Sequence, residues 1–334
     1  MKAAYIESYG NAEQIKIGEF KVPEVLEDEI LVEIHASSIN PIDWKVREGK
    51  AKALFKYNFP FILGNDCSGI VKKIGKNVTK FKVGDEVYSR PDKLRIGTFA
   101  EFISLKEYET AHKPKNISLL EASSLPLVAL TSWQALVIIG KLNKGDSVLI
   151  HAGSGGVGSI AIQLAKALGL KVATTTSTTN VEFVKSLGAD IVIDYKKEKF
   201  QDILKDYDFV FDTLGGETLI ESFKVLKKNG VIVSISSAPD VKTAKRFKAN
   251  LIVQFVLHLM NFNLRKLIKK YGVRYEYLMM HSDGDQLKEF TTLVESGKVK
   301  PIIDKDFKLD EIIQAFQYQE LGRTKGKVVI KIKE

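Results

Sequence analysis

The sequence predicts an α/β protein in which a small, mainly β barrel is followed by a doubly wound parallel sheet. Three observations carry this reading. Short strand-like runs with glycine punctuation recur between Glu29 and Phe102. Strand-like and helix-like runs alternate from Val148 to Ser234. The first strand and first helix of that alternation are joined by the glycine-rich run Ala152-Gly153-Ser154-Gly155-Gly156-Val157-Gly158. Short strands separated by turns suit a small barrel, and alternation at this spacing suits parallel strands with crossover helices.

In chain order, Glu29 to His35 alternates with period two, as a half-buried strand does. Asp66–Val71, Gly84–Tyr88 and Gly97–Phe102 read as further short strands. From Glu121 the texture becomes a long apolar, helix-compatible stretch ending near Gly140. Strands are then expected at Val148–Ile150, Lys171–Thr175, Asp190–Asp194, Asp208–Asp212 and Gly230–Ser234, with helices at Ser159–Leu168 and Asn180–Leu187. A chain of 334 residues exceeds what one ordinary core organises, so two domains are expected. There is no internal repeat or low-complexity tract.

No apolar run approaches the roughly 18–20 residues that span a bilayer. The opening MKAAYIESYG has acidic and polar residues where a signal peptide would need an apolar run. The one cysteine, Cys67, excludes an intrachain disulfide and suits a reducing compartment, so a cytoplasmic location is expected.

Gly153, Gly155 and Gly158 are spaced as in a dinucleotide fingerprint: a tight turn, room for a pyrophosphate, and close helix–sheet packing. The N–H groups of Ser154, Gly156 and Val157 belong to the same turn, whose helix start favours phosphate. An NAD enzyme usually carries an acid about 20 residues further on, against the ribose hydroxyls. Val172 to Asn180 has none before Glu182, while Ser177, Thr178 and Asn180 can hydrogen-bond a 2′-phosphate. NADPH is therefore the expected cofactor. The plainer alternative is that Thr179 or Asn180 caps the next helix.

With these residues in view, the chain resembles the zinc-independent quinone oxidoreductase branch of the medium-chain dehydrogenase/reductase superfamily. The resemblance rests on Asn40-Pro41-Ile42-Asp43-Trp44-Lys45-Val46-Arg47-Glu48-Gly49, Leu63 to Gly69, Gly84-Asp85-Glu86-Val87, Leu130 to Leu136, the glycine turn, Leu187-Gly188-Ala189-Asp190 and Gly326-Lys327-Val328-Val329. It implies a GroES-like domain over residues 1–125, completed by 272–334, and an inserted Rossmann domain over 126–271. It also implies a homodimer and an interdomain cleft, and Thr131 joins the cofactor-binding set. Tyr195, Lys185 or Arg323 would complete the phosphate contact, since relatives often place Lys or Arg in the second-strand loop and this chain does not.

Zinc-dependent relatives use a cysteine where this chain has Asn40, and a histidine next to a glutamate where it has Asn65-Asp66. Asparagine is a poor zinc ligand beside thiolate and imidazole, and the five histidines lack close metal-ligand spacing, so no metal is expected. His151, beside the glycine turn, is either structural or a cofactor contact. Without a Lewis acid the favoured reaction is hydride transfer from NADPH to a quinone or other conjugated carbonyl acceptor. Asn40 is the candidate donor to the developing oxygen and Lys45 the candidate electrostatic or proton-passing group. Asp43 is expected to orient Asn40, Lys45 or a ribose hydroxyl, and Trp44 to be site lining or core. The bland reading is that Asn40-Pro41 starts a turn and Asp43 caps a helix.

Residues 241–275 hold nine basic groups and no acid: Lys242, Lys245, Arg246, Lys248, Arg265, Lys266, Lys269, Lys270 and Arg274. Arg265 with Lys269, and Lys266 with Lys270 and Arg274, are expected on shared helical faces. The apolar run Leu251 to Met260 between them reads as a buried strand or helix at an interface, or else as part of an anionic-surface contact. The alternatives to a quinone reductase are therefore an alkenal or enone double-bond reductase, or a non-catalytic NADPH-binding protein associating with RNA or an anionic membrane. No aromatic-glycine RNA motif supports nucleic acid.

Overall fold

The computed structural model describes residues 1–50, 52, 57–237, 239, 243, 245 and 251–333. Lys242, Arg246 and Lys248 of the basic stretch lie outside the described residues. The chain divides into two units, Met1–Leu130 with His281–Glu334, and Thr131–Met280.

The chain begins with β1 (Lys2–Ile6), β2 (Lys16–Glu19), β3 (Glu29–Ile39), α1 (Pro41–Arg47), β4 (Phe61–Ile62), β5 (Asp66–Ile74), β6 (Glu86–Ser89), β7 (Phe102–Lys106) and β8 (Thr110–His112). The apolar stretch after Glu121 is divided among α2 (Leu119–Ala122), α3 (Pro126–Trp133) and a π-helical turn at Gln134–Ile139. Next come β9 (Ser147–Ile150), α4 (Gly156–Ala167), β10 (Lys171–Thr176), α5 (Val181–Ser186), β11 (Ile191–Asp194), α6 (Phe200–Ile203), β12 (Tyr207–Asp212), α7 (Gly216–Ser222) and β13 (Leu226–Ser234). The remainder is α8 (Leu251–Met260), α9 (Phe262–Tyr271), β14 (Arg274–Tyr277), α10 (Gly284–Glu295), β15 (Ile303–Lys308), α11 (Ile312–Glu320) and β16 (Lys327–Lys331).

In the first unit β3 is the organising strand. It pairs antiparallel with β5 along one edge, and with β7 and then β16 along the other. Its period-two pattern buries Ile30, Val32 and Ile34 against Val71, Val87 and Leu105. A second cluster joins Ile39, Leu63, Phe99, Phe316 and Val328, so the C-terminal strand completes the core begun by the N-terminal ones. Val328 stands opposite Ile39 in the β16–β3 register, which brings Lys327 beside Asn40. The strand expected over Gly97–Phe102 begins only at Phe102. Gly97 has φ +147°, outside the strand region for most residues, and Ala100 makes a single bridge to Ala3.

In the second unit all six strands are parallel, in the order β11-β10-β9-β12-β13-β14. This doubly wound order reverses between β9 and β12, and ligands bind such sheets at the carboxyl ends of the strands beside the reversal. Both boundaries of this unit lie later in the chain than the sequence expectation: it begins at Thr131 rather than 126 and ends at Met280 rather than 271. Residues 272–280 belong with the parallel sheet, because β14 pairs with β13 from Arg274 to Tyr277. The short, half-polar RYEY run gives little periodic signal of a sixth strand.

Candidate functional site

In the first unit, Asn40 follows β3 directly and is the N-cap residue of α1, with Pro41 at the first helical position, where its missing N–H costs nothing. Asp43 reaches back one turn, and its Oδ2 accepts from Asn40 N at 2.7 Å. Its Oδ1 accepts from Asn65 Nδ2 at 2.7 Å, and Asn65 Oδ1 accepts from Arg90 Nη2 at 3.2 Å. A second arm runs through the Asn40 side chain. Its Nδ2 donates to Asp66 Oδ2 at 2.7 Å and more weakly to Ser38 O at 3.4 Å, while its Oδ1 accepts from Lys327 Nζ. Lys327 Nζ also donates to Ile39 O at 3.0 Å and to Asp66 Oδ2 at 3.3 Å. Asn40, Asp43, Asn65, Asp66, Arg90 and Lys327 are all buried.

Burial dominates the electrostatics. It pushes the Asp43 carboxyl up to about 7, against the opposing pull of Asn65, the Asn40 N–H and Lys327. The Lys327 ammonium is pushed down by the same loss of solvent, with Asp66 and Asp43 acting in the other direction. Arg90 Nε is buried without a partner among the described residues.

This geometry corrects two expectations. Asn40 is not a free donor for a developing oxygen, because its amide hydrogens already face Asp66 and Ser38 inside the protein. Lys45 is exposed and does not join the network. Two helical steps from Asp43 turn its side chain about 200° away. The lysine brought to Asn40 is Lys327. Asp43 does orient Asn40, through the backbone N–H, and it also supplies the helix-capping contact of the bland reading. Trp44 is half-buried against the core cluster of Ile39 and Phe316.

In the second unit the glycine turn links β9 to α4. An ideal Cβ on Gly153 would stand 2.1 Å from Thr174 Oγ1, and one on Gly158 would stand 2.2 Å from Ala152 O. Neither position has room for a side chain. Gly155 differs: a Cβ there would meet only Ala152 O, at 3.4 Å, with the remaining space open. Close packing at two glycines and open backbone at the third are what a bound pyrophosphate requires. Gly156, Val157 and Gly158 form the first turn of α4, whose leading N–H groups have no partner within the helix.

The loop after β10 meets this turn. Ser154 Oγ accepts from Thr176 Oγ1 at 3.2 Å and from Asn180 Nδ2 at 3.1 Å. Asn180 Nδ2 also donates to Ser177 Oγ at 3.3 Å, and Asn180 Oδ1 is buried without a partner among the described residues. Thr178 Oγ1 donates to Asp194 Oδ2 at 2.7 Å. Asp194, an acid the sequence argument did not weigh, reaches this corner from β11 and also accepts from Lys196 N. Its ionised form is favoured by Thr178 first and by Lys197 in addition.

The other expected cofactor residues fall as follows. Tyr195 N donates to Thr176 O at 3.1 Å and its ring is exposed. Thr131 is buried in α3. Lys185 pairs with Glu182 at 2.8 Å. Arg323 belongs to the other unit, exposed in the loop between α11 and β16. His151 is a core residue: Nδ1 faces Thr175 Oγ1 at 3.1 Å, Nε2 faces Ser222 Oγ at 2.9 Å, and burial pushes it down to about 3.

Family models match both parts of the chain: an alcohol dehydrogenase GroES-like domain over residues 26–115 and a zinc-binding dehydrogenase over residues 187–330. The chain is 37% identical to 2-methylene-furan-3-one reductase of Solanum lycopersicum, across 99% of this chain and 79% of that one. It is 36% identical to the chloroplastic NADPH-dependent alkenal/one oxidoreductase of Arabidopsis thaliana, with the same coverage. The solved quinone oxidoreductase of Coxiella burnetii superposes with a TM-score of 0.85 at 34% identity, covering 100% of this chain and 99% of that one. The chain belongs to the quinone oxidoreductase branch of the medium-chain dehydrogenase/reductase superfamily. It is accordingly an oxidoreductase with a nicotinamide cofactor.

The buried network ties Asn40 and Asp66 to each other and to Lys327, and Asn65 to Asp43 and Arg90, so it holds two buried basic side chains, Lys327 and Arg90. Sequence reasoning passed over both cations. The available signal was a charged residue heading the apolar run Val328-Val329-Ile330, and an arginine between Ser89 and Pro91 at a strand end. A lone charge at such a place needs a buried partner.

Proposed function

We propose that this chain transfers hydride from NADPH to a quinone or another conjugated carbonyl acceptor, and does so without zinc. The observation that carries the reading is the Asn40–Asp66–Lys327 and Asp43–Asn65–Arg90 network, at positions where the family resemblance implies metal ligands in zinc-dependent members. The Asn40 amide, the Asn65 amide and the two carboxylates already face partners within the protein, and Lys327 Nζ and Arg90 Nη2 stand on the acceptors a divalent cation would need. Without a Lewis acid, an acceptor has to delocalise the incoming charge through its own conjugation.

The nicotinamide supplies hydride when bound. The chain's part is to hold and orient it. The open backbone at Gly155 and the start of α4 receive the pyrophosphate. Ser177, Thr178 and Asn180 offer hydroxyl and amide groups to a 2′-phosphate, and the Asp194 charge is already engaged by Thr178 and Lys196 N. Reduction of an alkenal or enone double bond is the second reading, favoured by the names of the Solanum and Arabidopsis relatives. A homodimer belongs to the same proposal, since β14 is the terminal strand of the sheet order and a terminal strand is where a second copy can add to a sheet.

The test is NADPH oxidation by chelator-treated protein against a panel of quinones, enones, alkenals and unconjugated ketones. Conjugated acceptors should be reduced at undiminished rate, with zinc far below one per chain by elemental analysis. Activity that disappears on chelation and returns with zinc, or an equal rate with unconjugated ketones, would overturn the proposal.

A further inference from the structure

The insert between β13 and β14 has a surface that the reductase reading does not use. The run Leu251 to Met260 forms α8, but it is not the buried element its composition suggests. Leu257 is buried and Val253 and Gln254 are half-buried, while Leu251, Ile252, Phe255, Leu259 and Met260 are exposed, Leu251 by 81% and Phe255 by 63%. Soluble monomers rarely expose so continuous an apolar face, and such faces mark contact sites. Asn261 fixes the corner at the end of α8, donating to Leu257 O at 2.9 Å and Pro239 O at 3.0 Å.

After a 54° bend, α9 packs Leu264, Leu267 and Ile268 against the sheet core. Lys266, Lys269 and Lys270 are left exposed on its outer side. Gly272, in the left-handed region at φ +63°, ends the helix, so Arg274 lies in β14 and not on the face of Lys266 and Lys270. A cavity of about 640 Å³ opens beside α9, with Arg265, Arg274 and Asn261 among its polar walls and Leu264 and Ile268 among its apolar ones.

We infer that α8 and α9 form a docking surface for an anionic lipid bilayer, with α8 lying in the headgroup region and the α9 lysines facing anionic headgroups. The length of α8, about 15 Å, is half what the hydrocarbon core requires, so it lies in the surface and does not cross it. No single described helix is long and apolar enough to span. Charge selects the occupant. A two-fold contact of this face with a second copy would set Lys266, Lys269 and Lys270 of both copies against each other, with no acid anywhere in α8 or α9 to offset them. RNA would match the charge but leave the aliphatic side chains of α8 in water. An anionic lipid surface satisfies both halves.

The test uses the full chain with phosphatidylcholine vesicles prepared with and without phosphatidylglycerol, read by co-sedimentation. Wild type should bind only the phosphatidylglycerol vesicles, less tightly as salt rises. Phe255→Ser with Leu259→Ser, and separately Lys266→Gln with Lys269→Gln and Lys270→Gln, should each weaken binding by about tenfold or more. NADPH oxidation in solution and the melting temperature should be unchanged. Wild type that stays in the supernatant at low salt overturns the inference, as do variants that bind like wild type. Conversion of a dimer to a monomer by Phe255→Ser with Leu259→Ser would assign the face to a second copy. Tighter binding to RNA than to vesicles would assign it to nucleic acid. The vesicle readout needs no catalysis, so it fails or succeeds independently of the proposed reaction.

Discussion

Lys327 Nζ lies 3.3 Å from Asp66 Oδ2, and both side chains are buried. A buried ion pair adds little over an apolar pair of equal volume, but breaking one side of it strands a charge. Lys327→Met should therefore destabilise the protein by about 3–5 kcal/mol in urea unfolding. Lys327→Met combined with Asp66→Leu should cost less than the sum of the single changes, because the stranded charge is gone. Additive costs would mean that the two groups do not depend on one another.

Asp43 gives a pH signature. Unfolded, its carboxyl titrates near 3.8, and in the folded protein burial holds the proton to about 7. Between those values the folded form binds more protons than the unfolded one. Its contribution to stability is therefore full below about pH 4 and is lost as the pH rises to 7, by a few kcal/mol in all. Asp43→Asn keeps the side-chain shape and removes the titration. The stability difference between wild type and Asp43→Asn should shift in favour of the variant from pH 5 to pH 8, measured by urea unfolding at each pH. Parallel pH profiles would show that Asp43 does not titrate in this range.

The glycine turn, the alternating strands and the barrel-like start were legible because each depends on local pattern: period two, period 3.6, and glycine where backbone approaches backbone. β14 escaped notice because RYEY is short and half polar. The chemistry of Asn40 was legible only in part. Its residue type suggested a donor, but whether an amide is free depends on partners remote in sequence: Asp66 is 26 residues away and Lys327 is 287. Lys45 was the nearer lysine in sequence, and helix geometry turned it away. The exposure of α8 was hidden for a similar reason, since an apolar run reads as core until its neighbours are known.

The three glycines of the turn should separate folding from binding. Gly155 has φ −78° and ψ 175°, which any residue adopts, and its Cβ site is open. Gly155→Ala should leave the melting temperature unchanged within a degree or two and weaken NADPH binding about tenfold or more by filling the pyrophosphate space. Gly158→Ala drives a methyl to 2.2 Å from Ala152 O, so the turn has to move. It should cost about 1–3 kcal/mol of stability and weaken nucleotide binding as well. Thermal melts with a fluorescence titration of NADPH would check both. Equal loss of stability in the two variants would remove the distinction drawn between the glycines.

Cofactor preference tests the loop after β10. Ser177 is half-buried, stands at the N-cap position of the short 3-10 turn Thr178–Asn180 without a side-chain cap bond, and its Oγ accepts from Asn180 Nδ2. Aspartate is an equally good cap, so Ser177→Asp should preserve the turn. Its carboxylate would grip ribose hydroxyls and repel a 2′-phosphate, at a corner where the Asp194 charge is already held by Thr178. A charge-assisted hydrogen bond contributes about 1.5–3 kcal/mol, so the ratio of kcat/KM for NADPH over NADH should fall about tenfold or more. Wild type should have the lower KM for NADPH. If wild type instead favours NADH and Ser177→Asp leaves that ratio unchanged, Ser177, Thr178 and Asn180 do not contact the 2′ position, and the adenosine ribose is recognised elsewhere.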